Sequence, residues 1–278
     1  MKPRRIVLCV DDVGLSDAID QALLALHAVG RASAGSVLVD GPSLPRSVVA
    51  LRERAGAGLE LGLHLNLTEP LAAAPAVRSL PALIGAAYVG RLDRAALRAE
   101  IDRQIDAYVA LLGRPPDFVD GHQHVQQLPV VRELLLDAVR ARAWPVAPWI
   151  RVARAPRWAR SHAGARWADR QKARVVAWLG AAALARGARA AGLRTNGHLL
   201  GVRAFDADAA RFTQALQAWL DAAVDGDLLM AHPALDAPAG DAIGPARAME
   251  LAVLAGPELG RMLRQQGITI APMRAITG

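Results

Sequence analysis

Cysteine is nearly absent. Cys9 stands alone in 278 residues, which excludes an internal disulfide framework and any zinc knuckle built on thiolates. Lysine is almost as scarce: only Lys2 and Lys172 occur among 33 basic residues, so the formal net charge of +7 rests on arginine in an alanine-rich background. A basic surface suits acidic substrates, membranes or nucleic acid, and a compositional bias of the source genome would produce the same excess. No run of about five or more like charges occurs. The clustered footprint of a nucleic-acid binder is therefore missing, and no nucleic-acid partner is expected. The segment 151–174, with Trp158 and Trp167 among its arginines, comes nearest to one.

Long apolar runs are also missing. After Met1-Lys2-Pro3-Arg4-Arg5, the apolar stretch 6–10 is stopped by Asp11 and Asp12. That is too short for a secretory leader, and Arg4-Arg5 is no twin-arginine signal without one. The best candidate for a membrane span, 175–193, is broken by Arg186 and Arg189. A soluble, cytoplasmic protein is the expectation. Repeats and low-complexity linkers are absent too, so 1–278 reads as a single domain.

What remains is a chain that is 53% hydrophobic, enough for a full core. Short apolar runs read as buried parallel strands at 6–10, 36–39, 59–67, 118–120, 149–152, 199–202, 228–231 and 268–270. Helical patterns separate them at 16–29, 45–54, 92–112, 130–142, 208–223 and 245–266, the last interrupted at Gly256-Pro257. The segment 154–193 is basic, then helical, and 70–90 reads as a loop. Alternation of this kind predicts an α/β fold, an irregular (β/α) TIM-like barrel.

In such a barrel the strand C-termini share one face. Asp11-Asp12, His64, the group Asp120, His122 and His124, Arg151 and His232 all lie at or after strand ends. Residues more than 200 positions apart would then meet. Asp11 and Asp12 could be a metal ligand beside a general base, or a helix N-cap pair. Neighbouring strand residues point opposite ways, so the two share a site only if the strand ends there and Gly14 turns the chain. Alternation puts His64 and Asn66 on one side with Gly62, opposite Leu63, Leu65 and Leu67. Asp120, His122 and His124 can face one way if that segment is extended, and a carboxylate nearby can orient an imidazole. Arg151 could pair with a catalytic carboxylate or bind substrate. His27, His162 and His198 read as bystanders, and Cys9 as a buried strand residue.

The motifs Asp11-Asp12-Val13-Gly14-Leu15-Ser16, Gly62-Leu63-His64-Leu65, Asp120-Gly121-His122-Gln123-His124 with Pro129, and His232-Pro233 occur in that order. Together the chain resembles the YdjC-like carbohydrate deacetylase family, from its first strand to its final helix. The resemblance implies an irregular barrel, one divalent metal ion (magnesium or zinc) and removal of an acetyl group from an N-acetylated sugar of the N-acetylglucosamine type. It carries the metal ligands over to Asp12, His64 and His122, the general base to Asp11 and the acid to His232. His124, Arg151 and Asn66 are expected at the substrate. The chain departs from the family at Cys9-Val10 and Val13, where Asn-Ala and Phe are usual, and at Gln126, where a third histidine often stands. The apolar and basic stretch 144–193 would suit a lipid-linked sugar, and a homodimer would be unsurprising. The competing readings are another metal hydrolase on the same barrel, such as a phosphoesterase, and a sugar-binding protein without catalysis.

Overall fold

The computed structural model describes residues 3–71, 78–156, 166–237 and 240–277. Eight strands form its sheet: β1 (Arg4–Val13), β2 (Ala34–Val37), β3 (Glu60–Leu65), β4 (Phe118–Gly121), β5 (Trp149–Ile150), β6 (Leu199–Leu200), β7 (Leu228–Ala231) and β8 (Ile268–Ile270). All pair in parallel, in the order β5-β4-β3-β2-β1-β7-β6. β8 pairs with Arg4, Arg5 and Ile6, the first residues of β1. Between the strands run α1 (Asp17–Ala28), α2 (Leu44–Gly56), α3 (Leu80–Tyr88), α4 (Arg94–Leu112), α5 (Val131–Ala141), α6 (Trp167–Trp178), α7 (Ala181–Ala190), α8 (Ala209–Ala222), α9 (Gly244–Ala255) and α10 (Pro257–Gln266), and α11 (Met273–Thr277) follows β8. Parallel strands need long crossovers, and these helices supply them. Among the described residues no helix is long and apolar enough to cross a membrane.

Alternation along the strands divides the core in two. Ile6, Leu8 and Val10 of β1, with Leu61, Leu63 and Val119, face the helices. Val7, Cys9, Ala34, Phe118, Trp149, Leu199, Leu228 and Met230 face one another inside the curved sheet. Phe118 and Trp149 stack there, ring centroids 4.4 Å apart. The inside is thus packed with side chains, as in other parallel barrels. The sheet is incomplete between β5 and β6. Ile150 meets Thr195 in a lone parallel bridge, and Leu199 N donates to Arg154 O at 2.8 Å.

Two expectations need correction. The stretch 70–90 is not all loop, because α3 occupies much of it; Pro81 sits in its first turn, where a missing N–H costs nothing. β1 does not stop at its apolar run but continues to Val13.

Candidate active site

Continuing the inward-facing positions toward the strand C-termini changes their chemistry from apolar to polar. Val7 and Cys9 lead to Asp11, Ala34 to Ser36, Gly62 to His64, Phe118 to Asp120, Trp149 to Arg151, and Met230 to His232. The pairing sets these side by side from β5 to β7; His64 lies directly opposite Asp120. Asp11, Asp12, His64, Asp120 and Arg151 are all buried.

Asp12 joins this group through a β-bulge. Between Val10↔Gly35 and Val13↔Val37, β1 spends three residues where β2 spends two, and Asp12 takes a left-handed backbone with φ +63°. A bulge re-aims the side chain it carries. The two aspartates therefore share a site because the strand bulges, not because it ends at Gly14.

Asp12 Oδ1 lies 3.0 Å from His122 Nδ1 and 3.4 Å from His64 Nε2. One ligand atom each from Asp12, His64 and His122 falls within 4.8 Å of the other two. Arg247 donates to Asp12 Oδ2 at 2.7 Å, and its Nε donates to Asp241 at 2.6 Å. Behind His64, Asp120 Oδ1 lies 2.6 Å from Nδ1 and accepts from Ser36 Oγ at 2.5 Å. A carboxylate on the far nitrogen is the usual support of a metal-binding imidazole. Asp120 thus serves His64 rather than its sequence neighbour His122. His122 Nε2 instead lies 3.4 Å from Glu69.

Arg151, fully buried, forks onto Asp11: Nη1 donates to Oδ1 at 2.6 Å and Nη2 to Oδ2. Its Nη1 also lies 2.8 Å from Asp120 Oδ2. Burial alone would raise the Asp11 carboxyl, but the guanidinium beside it holds it well below the usual range. The same contest lowers Asp12, where His122, His64 and Arg247 outweigh burial. Burial pulls the His64 imidazole down, yet Asp120 and Asp12 push it up to about 10. Three buried carboxylates, Asp11, Asp12 and Asp120, thus face two guanidiniums. The remaining negative charge calls for a proton on His64 or a cation beside it. A carboxylate and two imidazoles, converging and braced, fit a divalent metal ion. A second group, Cys9, Asp11 and Asp120, also comes close together, but the Arg151 guanidinium already bridges its carboxylates.

His232 Nε2 lies 3.9 Å from Asp11 Oδ2, its ring edge-on to Phe205 at 4.9 Å. Burial pushes its imidazole below the ordinary value, against the pull of Asp12 and Asp11. His124 is reached by a different route from the expected extended segment. Residues His122–Gln127 form a tight 3-10 turn in which Gln123 and His124 both have positive φ. His124 Nδ1 is buried without a hydrogen-bond partner, and burial followed by Arg151 brings the imidazole down to about 3. Asn66 is engaged elsewhere. Its side-chain oxygen accepts from Thr68 N and Glu69 N, and its amide donates to Glu69 O, closing the loop that carries Glu69.

Ser36, Glu69 and Arg247 escape the sequence reading. Arg247 carries a faint signal: with Glu250 it occupies the same face of α9 as Leu254, both charges buried. His198 pairs with Asp227; the two directly precede β6 and β7, at the strand N-termini, away from the site. His27 lies 3.1 Å from Ala32 O. His162 and Trp158 lie outside the described residues.

The family model described as YdjC-like protein matches residues 5–265. A human protein named carbohydrate deacetylase is 29% identical over an alignment covering 98% of this chain and 91% of its own. A chitooligosaccharide deacetylase of Serratia marcescens is 28% identical, over 51% of this chain and 58% of that protein. A crystal structure from Enterococcus faecalis, of a protein described for cellobiose-phosphate cleavage, superposes with a TM-score of 0.65 at 18% identity, covering 99% of both chains. That last likeness is one of fold alone.

Proposed function

The chain belongs to the YdjC-like family, and from that premise we propose that it is a metal-dependent hydrolase that removes the acetyl group from an N-acetylated sugar. The names of the human and Serratia relatives support the substrate class. The observation that carries the reaction is the placement of Asp11. It is adjacent in sequence to the ligand candidate Asp12, clamped in its ionised form by Arg151, and 3.9 Å from His232.

Asp12, His64 and His122 would hold one divalent ion, magnesium or zinc. When bound, the ion supplies Lewis acidity toward the acetamide carbonyl and acidifies the attacking water. Asp11 receives the proton of that water as it adds to the carbonyl carbon. A carboxylate with a depressed pKa is a weak base, but it is never lost to protonation at working pH. Protonated His232 donates to the sugar nitrogen, which leaves as an amine while the acyl group leaves as acetate. Burial lowers the His232 imidazole and so makes its protonated form a stronger acid, while the Asp12 and Asp11 charges limit that loss of the proton. His124, kept neutral, and Arg151 complete the floor on which the acetamide would rest. Acid and base each typically contribute about 10²–10⁴-fold. A two-metal phosphoesterase needs a second ligand set, and Arg151 stands between the carboxylates that could have formed one.

The test is acetate release from a panel of N-acetylated sugars by chelated protein, with zinc or magnesium restored, beside His122→Ala. Metal-dependent acetate that disappears in the variant is the expected result. A metal-loaded protein that releases no acetate from any sugar in the panel would overturn the reading.

A further inference from the structure

Among the described residues, the outer face of α6 is an exposed surface that the active site does not explain. Trp167, Gln171, Arg174, Val175 and Trp178 recur at the i, i+4, i+7, i+8 and i+11 spacing of a single helix face. Trp167 is 69% exposed, Val175 58% and Trp178 79%. Single exposed apolar residues need no explanation, but a contiguous stripe of them does. With its amide turned to satisfy both neighbours, Gln171 accepts from Trp167 Nε1 and Arg174 Nη1, each at 3.2 Å, so indole and guanidinium share one patch. α6 and α7 together carry Arg170, Lys172, Arg174, Arg186 and Arg189. Their single carboxylate, Asp169, is turned inward and accepts from Ala204 N at 2.9 Å.

We propose that this face of α6 docks on an anionic bilayer surface. Tryptophan beside arginine on one helix face, with no exposed carboxylate, matches the interfacial zone of a membrane: indoles seat at the headgroup level and guanidiniums meet anionic headgroups. A second copy of this chain fits less well, since a two-fold contact would bring like-charged arginines together. Trp167 and Trp178 stand about 16 Å apart along the helix axis, too far to stack neighbouring bases of a nucleic acid. The opposite face of α6 reaches the active site. Lys172 Nζ donates to Arg203 O at 2.7 Å and lies over the Phe205 ring, and Phe205 packs against His232. Docking through α6 therefore holds the mouth of the site beside the bilayer.

Flotation of the full chain with vesicles tests this. Binding is expected to vesicles of phosphatidylcholine with phosphatidylglycerol, to weaken with added salt, and to be absent with phosphatidylcholine alone. The double variant Trp167→Ser/Trp178→Ser should lose binding. Each arginine near an anionic surface strengthens partitioning about fivefold, so Arg174→Glu should weaken it by more than that. Tyr88→Ser, an exposed aromatic change on α3, should leave it intact. Acetate release from a soluble sugar should be unchanged in all three variants, which separates failure of the surface from failure of the site. Absence of binding to anionic vesicles, or binding that survives both α6 changes, would overturn the proposal. So would a dimer, or binding of single-stranded DNA, that the tryptophan variant abolishes while vesicles are ignored.

Discussion

Asp12 holds a left-handed backbone although it carries a Cβ, a conformation that costs an ordinary residue about 1–2 kcal/mol. Such strain persists where the surroundings over-determine it. Here Arg247 fixes Oδ2 while two imidazoles face Oδ1. Among the described residues its neighbour Asp11 meets no imidazole within 3.5 Å, and it is forked by Arg151. The same conservative change should therefore have different effects at the two positions. Asp11→Asn should lower kcat by about 10²–10⁴-fold while titration calorimetry on chelated protein still records one metal equivalent. Asp12→Asn should abolish that equivalent and the activity with it. Equal metal binding by both variants would refute the division of roles. Cys9 yields a third expectation at this scale. It is fully buried, and burial followed by the Asp11 charge holds its thiol well above the ordinary value. The thiolate is the reactive form. Alkylation at mildly alkaline pH should thus fail on the native protein and go to completion once it is unfolded; rapid labelling of the folded chain would contradict that picture.

At the scale of elements, what could be read from sequence follows from cost. A carboxylate or imidazole at the end of an apolar strand is expensive to bury unless it is used, so Asp11, Asp12, His64, Asp120 and His232 stand out against their runs. The bulge in β1 does not, because resumed pairing after an extra residue depends on the neighbouring strand rather than on any side-chain pattern. The turn at His122–Gln127 is hidden for a related reason: its left-handed positions hold Gln123 and His124, neither of them the glycine or asparagine that would announce them. Arg247 and Glu250, three apart on a helix, have the spacing of an ordinary surface pair; sharing a face with Leu254 is a faint signal, and the packing of α9 turns them inward. Gly62 is the converse, a glycine whose reason is invisible until β3 meets β4. A Cβ placed there would come within 2.4 Å of the Phe118 ring, and Phe118 cannot easily yield because Trp149 is stacked behind it. Overpacking of this kind costs about 1–3 kcal/mol. Gly62→Ala should accordingly lower the urea midpoint with no change in m-value; an unchanged midpoint would mean that the stack is loose.

On the scale of the whole molecule, the parallel order brings every strand C-terminus to one side, and so residues as distant as Asp11 and His232 could be paired from sequence. How the sheet is held between β5 and β6 could not. The strands there are two residues each, and the few backbone bonds between them are reinforced by a side chain. Asn196, 1% exposed, accepts from Val152 N at 2.7 Å and donates to Val152 O and His198 O at 3.1 Å each. One amide thus replaces a stretch of missing strand pairing. It grips the residue after Arg151, whose own N–H donates to Val119 O on the β4 side. Arg151 is therefore suspended between β4 and the Asn196 clasp, and the fork on Asp11 depends on both. Asn196→Ala leaves the buried N–H of Val152 without its partner, at about 1–3 kcal/mol for an unsatisfied group, while the Val152 carbonyl still accepts from Arg154 N. Asn196→Asp keeps the acceptor for Val152 N but loses both donors. The expected order of stability and of kcat is wild type, then Asp, then Ala, with faster amide exchange at Val152 in the alanine variant and metal binding retained in all. Loss of stability with kcat unchanged would mean that the clasp closes the sheet without steering Arg151.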